Sequence, residues 1–312
     1  MKLIDYKKKA FLKLYKKNIE IRDSYRSFGD PLGYEKYFNQ VLYALEPDFL
    51  TALDRIRKEK VNFKENNKLL DHIYVMWWQG VENAPTLIQN NIRRMQKIFG
   101  KDNVYIITEK NWKQYCSFSS IIIKKFNAGK ISIAALSDII RFNLLKKHGG
   151  LWVDSTVILS ENCKGILSEY NDKDFFSISN LDNDYHYISK SKWTAWFIGG
   201  KAGYPLFEFA TEFYDNYFEK HDFLIDYYTI DDIIAYFYTI DLKFKNDINS
   251  ISADWHPYLM NNNINKAYDT NLFDKFDHDP LYSIQKFTYK YDESLSKNKD
   301  TVLYAILNNS FK

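Results

Sequence analysis

A chain of 312 residues that is 46% hydrophobic and 18% aromatic can bury a large core, as one elaborated domain or two small ones. A formal charge of +3 does not indicate a dedicated nucleic-acid binder. Cys116 and Cys163, the two cysteines, form neither a metal-type spacing nor a disulfide framework, which points to a reducing cytoplasm. With no bilayer-spanning apolar run and no signal-peptide core, the sequence predicts a soluble protein or one lying on a membrane surface.

Residues 1–26 read as a basic amphipathic helix. Leu3, Ile4, Phe11, Leu14, Tyr15 and Ile19 share one face, opposite Lys2, Lys9, Lys13, Lys16 and Lys17. Two readings stand open: a helix docked on the rest of the protein, or one lying on anionic lipid at the inner face of the cell membrane. A loop around Gly29 leads to helices over 34–45 and 47–60, with Pro47 opening the second. Residues 1–68 thus read as a helical appendage and 69–312 as the main domain.

The sheet begins at Ile73. Ile73-Tyr-Val-Met-Trp-Trp is too apolar throughout to alternate, as expected of a strand buried on both faces. Helix 86–99 and strand 104–108 complete a parallel βαβ unit. A short helix over 111–127 follows. From Ser132 the spacing of Ile133, Leu136, Ile140 and Leu144 predicts a helix with those four residues buried. Lys146, Lys147 and His148 suit its C-terminal dipole, and Gly149 and Gly150 stop it. Leu151-Trp152-Val153 is a short buried strand ending on Asp154. Asp138 and Arg141, three apart, are neighbours on the helix surface, and Asp154 leaves the carboxyl end of a strand, where open α/β sheets place ligands.

Further strands are expected at 175–179 and 193–198. The polar stretch 180–191 between them, with Asp182, Asp184 and His186 alternating, reads as an isolated polar hairpin, with metal ligands on one face as the alternative. Gly199-Gly200-Lys-Ala-Gly203 reads as a turn, since it fits no phosphate-loop or dinucleotide pattern. Aromatic helices follow over 204–220 and 226–238, and a strand with alternating lysines over 284–290. There is no Ser-His-Asp elbow, HExxH helix, EF-hand loop or Walker sequence.

The run Ala135-Leu-Ser-Asp138-Ile-Ile-Arg141, then Gly149-Gly150-Leu-Trp-Val-Asp154, resembles the signature of sugar transferases with a DXD motif. It is most like the bacterial capsular polysaccharide synthesis branch, and is similar over this stretch to the clostridial glucosylating toxins. The resemblance implies an α/β fold of the GT-A type and transfer of a hexose, with retention, from a uridine-diphosphate sugar. The acceptor it implies is a growing surface polysaccharide or a lipid-linked oligosaccharide. It assigns Asp138 and Arg141 to the donor sugar and phosphate, and Asp154 to a divalent metal, Mn²⁺ or Mg²⁺. Ser137, Gly150 and Trp152 fall in the same donor segment.

The Trp-Gln-Gly turn resembles the first-strand element whose tryptophan stacks on the donor base. Aligned on Gly80 it selects Trp78, with Gln79 beside it and Trp77 as the alternative. Asp226-Tyr-Tyr-Thr-Ile-Asp231 resembles an acceptor-side helix, which makes Asp231 an acceptor contact. Residues 284–290 are similar to a donor-site segment in which Lys286 or Lys290 meets the pyrophosphate. The second Asp of the DXD falls at Thr156, a weaker ligand for a hard cation than a carboxylate. That departure keeps in view a nucleotide-sugar-binding protein with little or no turnover, and the basic N-terminal helix keeps in view a second rival, a peripheral membrane interaction protein.

Overall fold

The computed structural model describes residues 13, 16, 17, 20–24, 27, 29–58, 67–182, 184–291 and 296–308. Most of the expected amphipathic helix over 1–26, including its apolar face, lies outside the described residues. Among the described residues no helix is long and apolar enough to cross a membrane.

Helix α1 (Pro31–Lys58) runs straight through Pro47, where the sequence suggests a break. Tyr37, Val41, Leu45, Phe49 and Ala52 continue one buried stripe across that point, and their burial outweighs a single missing hydrogen bond. The carbonyl that Pro47 leaves without its helical donor belongs to Tyr43, on the solvent side. The stripe packs into the same core as the helices described below, although the sequence sets residues 1–68 apart from 69–312.

β1 (Ile73–Met76), α2 (Thr86–Phe99) and β2 (Val104–Ile107) form the expected parallel unit. The helix expected over 111–127 is two, α3 (Trp112–Tyr115) and α4 (Ser120–Asn127). Between them the Asn143 amide clamps the backbone of Ser117 through both its N–H (2.9 Å) and its carbonyl (2.8 Å), a long-range contact that local spacing does not show. Helix α5 (Ile133–His148) starts on the Ser132 hydroxyl, which accepts from the Ala135 N–H at 3.1 Å, and ends at Gly149 with φ 66°. Leu136, Ile140 and Leu144 are buried as expected, whereas Ile133 is 43% exposed because the first turn of α5 borders a cleft.

β3 (Gly150–Val153) pairs parallel to β1, and the antiparallel β6 (Phe197–Gly200) and β5 (Phe175–Ser177) complete a sheet of order β2-β1-β3-β6-β5. Only β6 runs against the other four. Gly199 and Gly200, expected in a turn, belong to β6, and residues 193–196 are not strand. A Cβ on Gly199 would lie 2.3 Å from the carbonyl oxygen of Gly150, so β3 and β6 approach this closely only without one.

Side-chain alternation splits the sheet into two cores. Tyr74, Met76, Trp152, Phe175 and Ile198 face α1, α5, α7 (Pro205–Lys220) and α8 (Thr229–Ile240). Ile73, Val75, Leu151, Val153 and Phe197 face α2 and α6 (Cys163–Glu169). The result is an α/β fold, a mostly parallel sheet flanked by helices.

After β3 the chain turns at Asp154 into β4 (Val157–Leu159), unforeseen in the sequence reading, which pairs antiparallel with β7 (Ile284–Lys286). The strand expected to reach residue 290 stops at Lys286. Phe287 N–H bonds the Thr156 carbonyl at 3.1 Å, and Thr288 then turns the chain by accepting from Lys290 N–H.

Candidate active site

A cleft of about 1730 Å³ opens at the carboxyl ends of the adjacent strands β1 and β3. Helices α2 and α5 leave on opposite faces of the sheet there, the position where open α/β sheets form ligand crevices. Three parts of the chain converge on Asp154 at its floor. Trp152, two residues earlier and therefore on the same strand face, donates its indole N–H to Oδ1 at 2.9 Å. From α5, the Arg141 guanidinium donates to the same oxygen at 3.2 Å and lies 4.9 Å from the centre of the Trp152 ring. From the end of β7, the Lys286 ammonium donates to Oδ2 at 2.6 Å and to the Thr156 hydroxyl at 2.7 Å.

The register Val157↔Lys286 in the small sheet delivers that lysine. Its backbone is fixed as well, by an N–H bond to the Pro257 carbonyl at 2.7 Å. Burial alone would raise the Asp154 pKa, but Lys286 first and Arg141 second outweigh it and hold this carboxyl below the usual range.

Other carboxyls of the cleft behave oppositely. Asp138 lies 3.3 Å from Arg141, yet burial dominates and pushes it up to about 7. Asp231, in the first turn of α8, accepts from the Trp193 indole N–H at 3.0 Å and is raised by burial to about 6. Behind it both oxygens of Asp232 are buried with no hydrogen-bond partner among the described residues, and burial next to Asp226 and Asp231 keeps this group far above the ordinary carboxylate range. Arg22 forms an ion pair with Asp226 at 3.5 Å on the same side of the cleft.

Of the residues singled out in the sequence, Trp78, Gln79, Ser137, Asp138, Arg141, Trp152, Asp154, Asp231, Lys286 and Lys290 all line this one cleft. Gly80 and Gly150 stand outside the lining and shape backbone instead. Gly80 has φ 90°, and a Cβ on Gly150 would lie 2.3 Å from the His72 carbonyl oxygen. Of the two candidate tryptophans, Trp78 is buried edge-on against Phe126. Trp77 is half-buried beside Tyr289, and its indole N–H has no partner among the described residues. The sequence reading missed Trp193, Trp196 and Arg22, whose links to the site cross long stretches of chain and leave no local signal. The described residues of 180–191 form turns that connect the antiparallel β5 and β6, with the Asn180 N–H bonded to the Ser191 carbonyl at 3.0 Å, and His186 sets a ring nitrogen against Asp184 at 2.6 Å.

A divalent cation does not fit the donor set at Asp154. Both carboxylate oxygens accept from cationic side chains, the Thr156 hydroxyl accepts from one of them, and no group of three His, Cys, Asp or Glu side chains able to hold a metal occurs among the described residues.

In comparison with known proteins, the model of a family described as capsular polysaccharide synthesis protein matches residues 31–306. No curated protein and no solved structure matches the chain.

Proposed function

The chain belongs to the capsular polysaccharide synthesis family, and from that premise we propose that it is a glycosyltransferase of GT-A type, moving a hexose from a uridine-diphosphate sugar to a saccharide or lipid-linked saccharide. The observation that carries this reading is the convergence of Arg141 and Lys286 on Asp154 at the floor of a cleft walled by tryptophans. Two cations against one ionised carboxylate leave net positive charge, which Asp138 does not cancel while it is neutral. Buried, pre-positioned positive charge is what a leaving diphosphate requires.

In this reading the diphosphate lies against Arg141 and Lys286, and the base stacks on the Trp77–Trp78 corner beside Gln79. Asp138 and Ser137 meet donor hydroxyls. Asp231, held by Trp193, meets the acceptor. An acceptor hydroxyl attacks the anomeric carbon on the face the diphosphate leaves. The new C–O bond forms as the bond to phosphate breaks, the hydroxyl proton passes to the departing phosphate oxygen, and configuration is retained. Both oxygens of Asp154 are engaged by cations, so it serves as an anchor and not as a nucleophile.

The test is incubation of the full chain with a panel of nucleotide-sugars and capsular oligosaccharide fragments, reading released nucleoside diphosphate and the product linkage. Diphosphate release that requires the oligosaccharide is the expected result. Binding of donors without release under any acceptor would assign the protein to donor binding alone.

A further inference from the structure

Resting on that reading of the cleft, we propose that Lys286 is the protein's built-in counter-cation for the donor diphosphate, and that donor binding and transfer need no divalent metal. The resemblance to DXD enzymes leads one to expect a metal beside Asp154, bridging carboxylate and phosphate. Here the ammonium of Lys286 touches the two groups that such a metal would use, Asp154 Oδ2 at 2.6 Å and the Thr156 hydroxyl at 2.7 Å. Thr156 is the very position where the second carboxylate is replaced by a neutral hydroxyl. The two departures are complementary: an aspartate at 156 would add a metal ligand, whereas a threonine offers a lone pair to an ammonium and adds no second negative charge.

The placement of Lys286 is built into the fold. It ends a strand paired in register with the strand that follows Asp154, its N–H is bonded to Pro257, and the N–H of the next residue is bonded to the carbonyl of Thr156. Its ammonium also lies 5.6 Å from the centre of the Trp196 ring. A divalent ion arriving at Asp154 would have to displace Lys286 while facing Arg141 on the other oxygen, and like charges at such distances repel strongly in a partly desolvated site. A lysine is a compact cation with three donors, so it can keep Asp154 and Thr156 while giving its third hydrogen to a phosphate oxygen.

The experiment is calorimetric titration of the full chain with UDP, GDP, CDP and TDP, in excess EDTA and again in millimolar MnCl₂. It is paired with electron paramagnetic resonance of free Mn²⁺ in the presence of protein and diphosphate. Affinity for the preferred diphosphate should agree within about threefold between the two conditions, and the protein should not deplete the free Mn²⁺ signal beyond what the nucleotide alone does. Lys286→Ala should weaken binding in EDTA by about tenfold to a hundredfold, as loss of one hydrogen bond between charged groups implies, and Lys286→Arg should recover part of it, with unchanged far-ultraviolet circular dichroism in both.

Binding at least tenfold tighter in Mn²⁺, with matching loss of the Mn²⁺ signal, would overturn the inference while leaving the diphosphate site intact. Full affinity in a folded Lys286→Ala would overturn it as well. Binding of no diphosphate in either condition would instead remove the donor-site reading, and this inference with it.

Discussion

Asp154 and Asp138 flank one guanidinium, 3.2 and 3.3 Å from the same Arg141 nitrogen, yet they titrate in opposite directions. Asp154 has a second cation, Lys286, and is held below the usual carboxylate range. Asp138 has only its share of Arg141, so burial wins and its pKa rises to about 7. Asp231, with an indole N–H instead of a cation, rises to about 6. What separates the two kinds of carboxyl is the number of cations each can reach. That number divides the cleft into an anchor held towards its ionised form and groups, Asp138 and Asp231, whose charge changes nearer neutral pH.

Removing the anchor is the most damaging way to break this contrast. Asp154→Asn leaves Arg141 and Lys286 facing a neutral amide, and both cations lose the group that aims them. Diphosphate release should fall by about a thousandfold, the upper range for loss of a preorganised electrostatic contact, while circular dichroism shows a folded chain. Turnover near that of the parent would take Asp154 out of the site.

Neutralising the other carboxyl should separate function from stability. For Asp138→Asn, transfer should drop by about a hundredfold, because the amide sets an N–H donor where one carboxyl oxygen accepted from a donor hydroxyl. The effect on folding has the opposite sign. A carboxyl whose folded pKa is raised from 3.8 to about 7 stabilises the fold fully at low pH, and loses that contribution as pH rises through about 7. The asparagine variant should therefore melt several degrees above the parent near pH 8, with the gap closing towards pH 4. A gap that is constant with pH would mean that Asp138 does not titrate in this window.

The smallest expected effect sharpens the contrast at the apolar end of the cleft. Trp77→Ala and Trp78→Ala, compared in donor-affinity measurements, should reveal which ring stacks on the base, at about 1–3 kcal/mol for the true platform. Trp77 is half-buried and lines the cleft with its ring beside Tyr289. Trp78 is packed on Phe126, so its loss should lower the melting temperature as well as any donor affinity it supports.

Much of this was legible in the sequence because it depends on neighbours along the chain. The bounds of α2 and α5, the parallel unit β1–α2–β2, the contact between Asp138 and Arg141 and the position of Asp154 at a strand end follow from side-chain periods and from glycine at 149. The same local logic failed where distant groups decided the outcome. Pro47 did not end α1, because a buried stripe runs past it. Gly199 and Gly200 joined a strand, because β3 lies too close for a Cβ. Residues 111–127 split in two, because Asn143 reaches Ser117.

By itself, then, the sequence determined which groups sit within a turn or two of one another, including the acid–base pair on α5 and the carboxylate after β3. Only the tertiary structure decided what that carboxylate meets. Lys286 is 132 residues away, and arrives because β4, unforeseen as a strand, pairs with β7 in one particular register. Burial, which sets Asp138 and Asp154 apart, is likewise a property of the assembled core. Local spacing can place a charge on a helix or at the end of a strand, but its electrostatic partners and its distance from water exist only once the layers have packed.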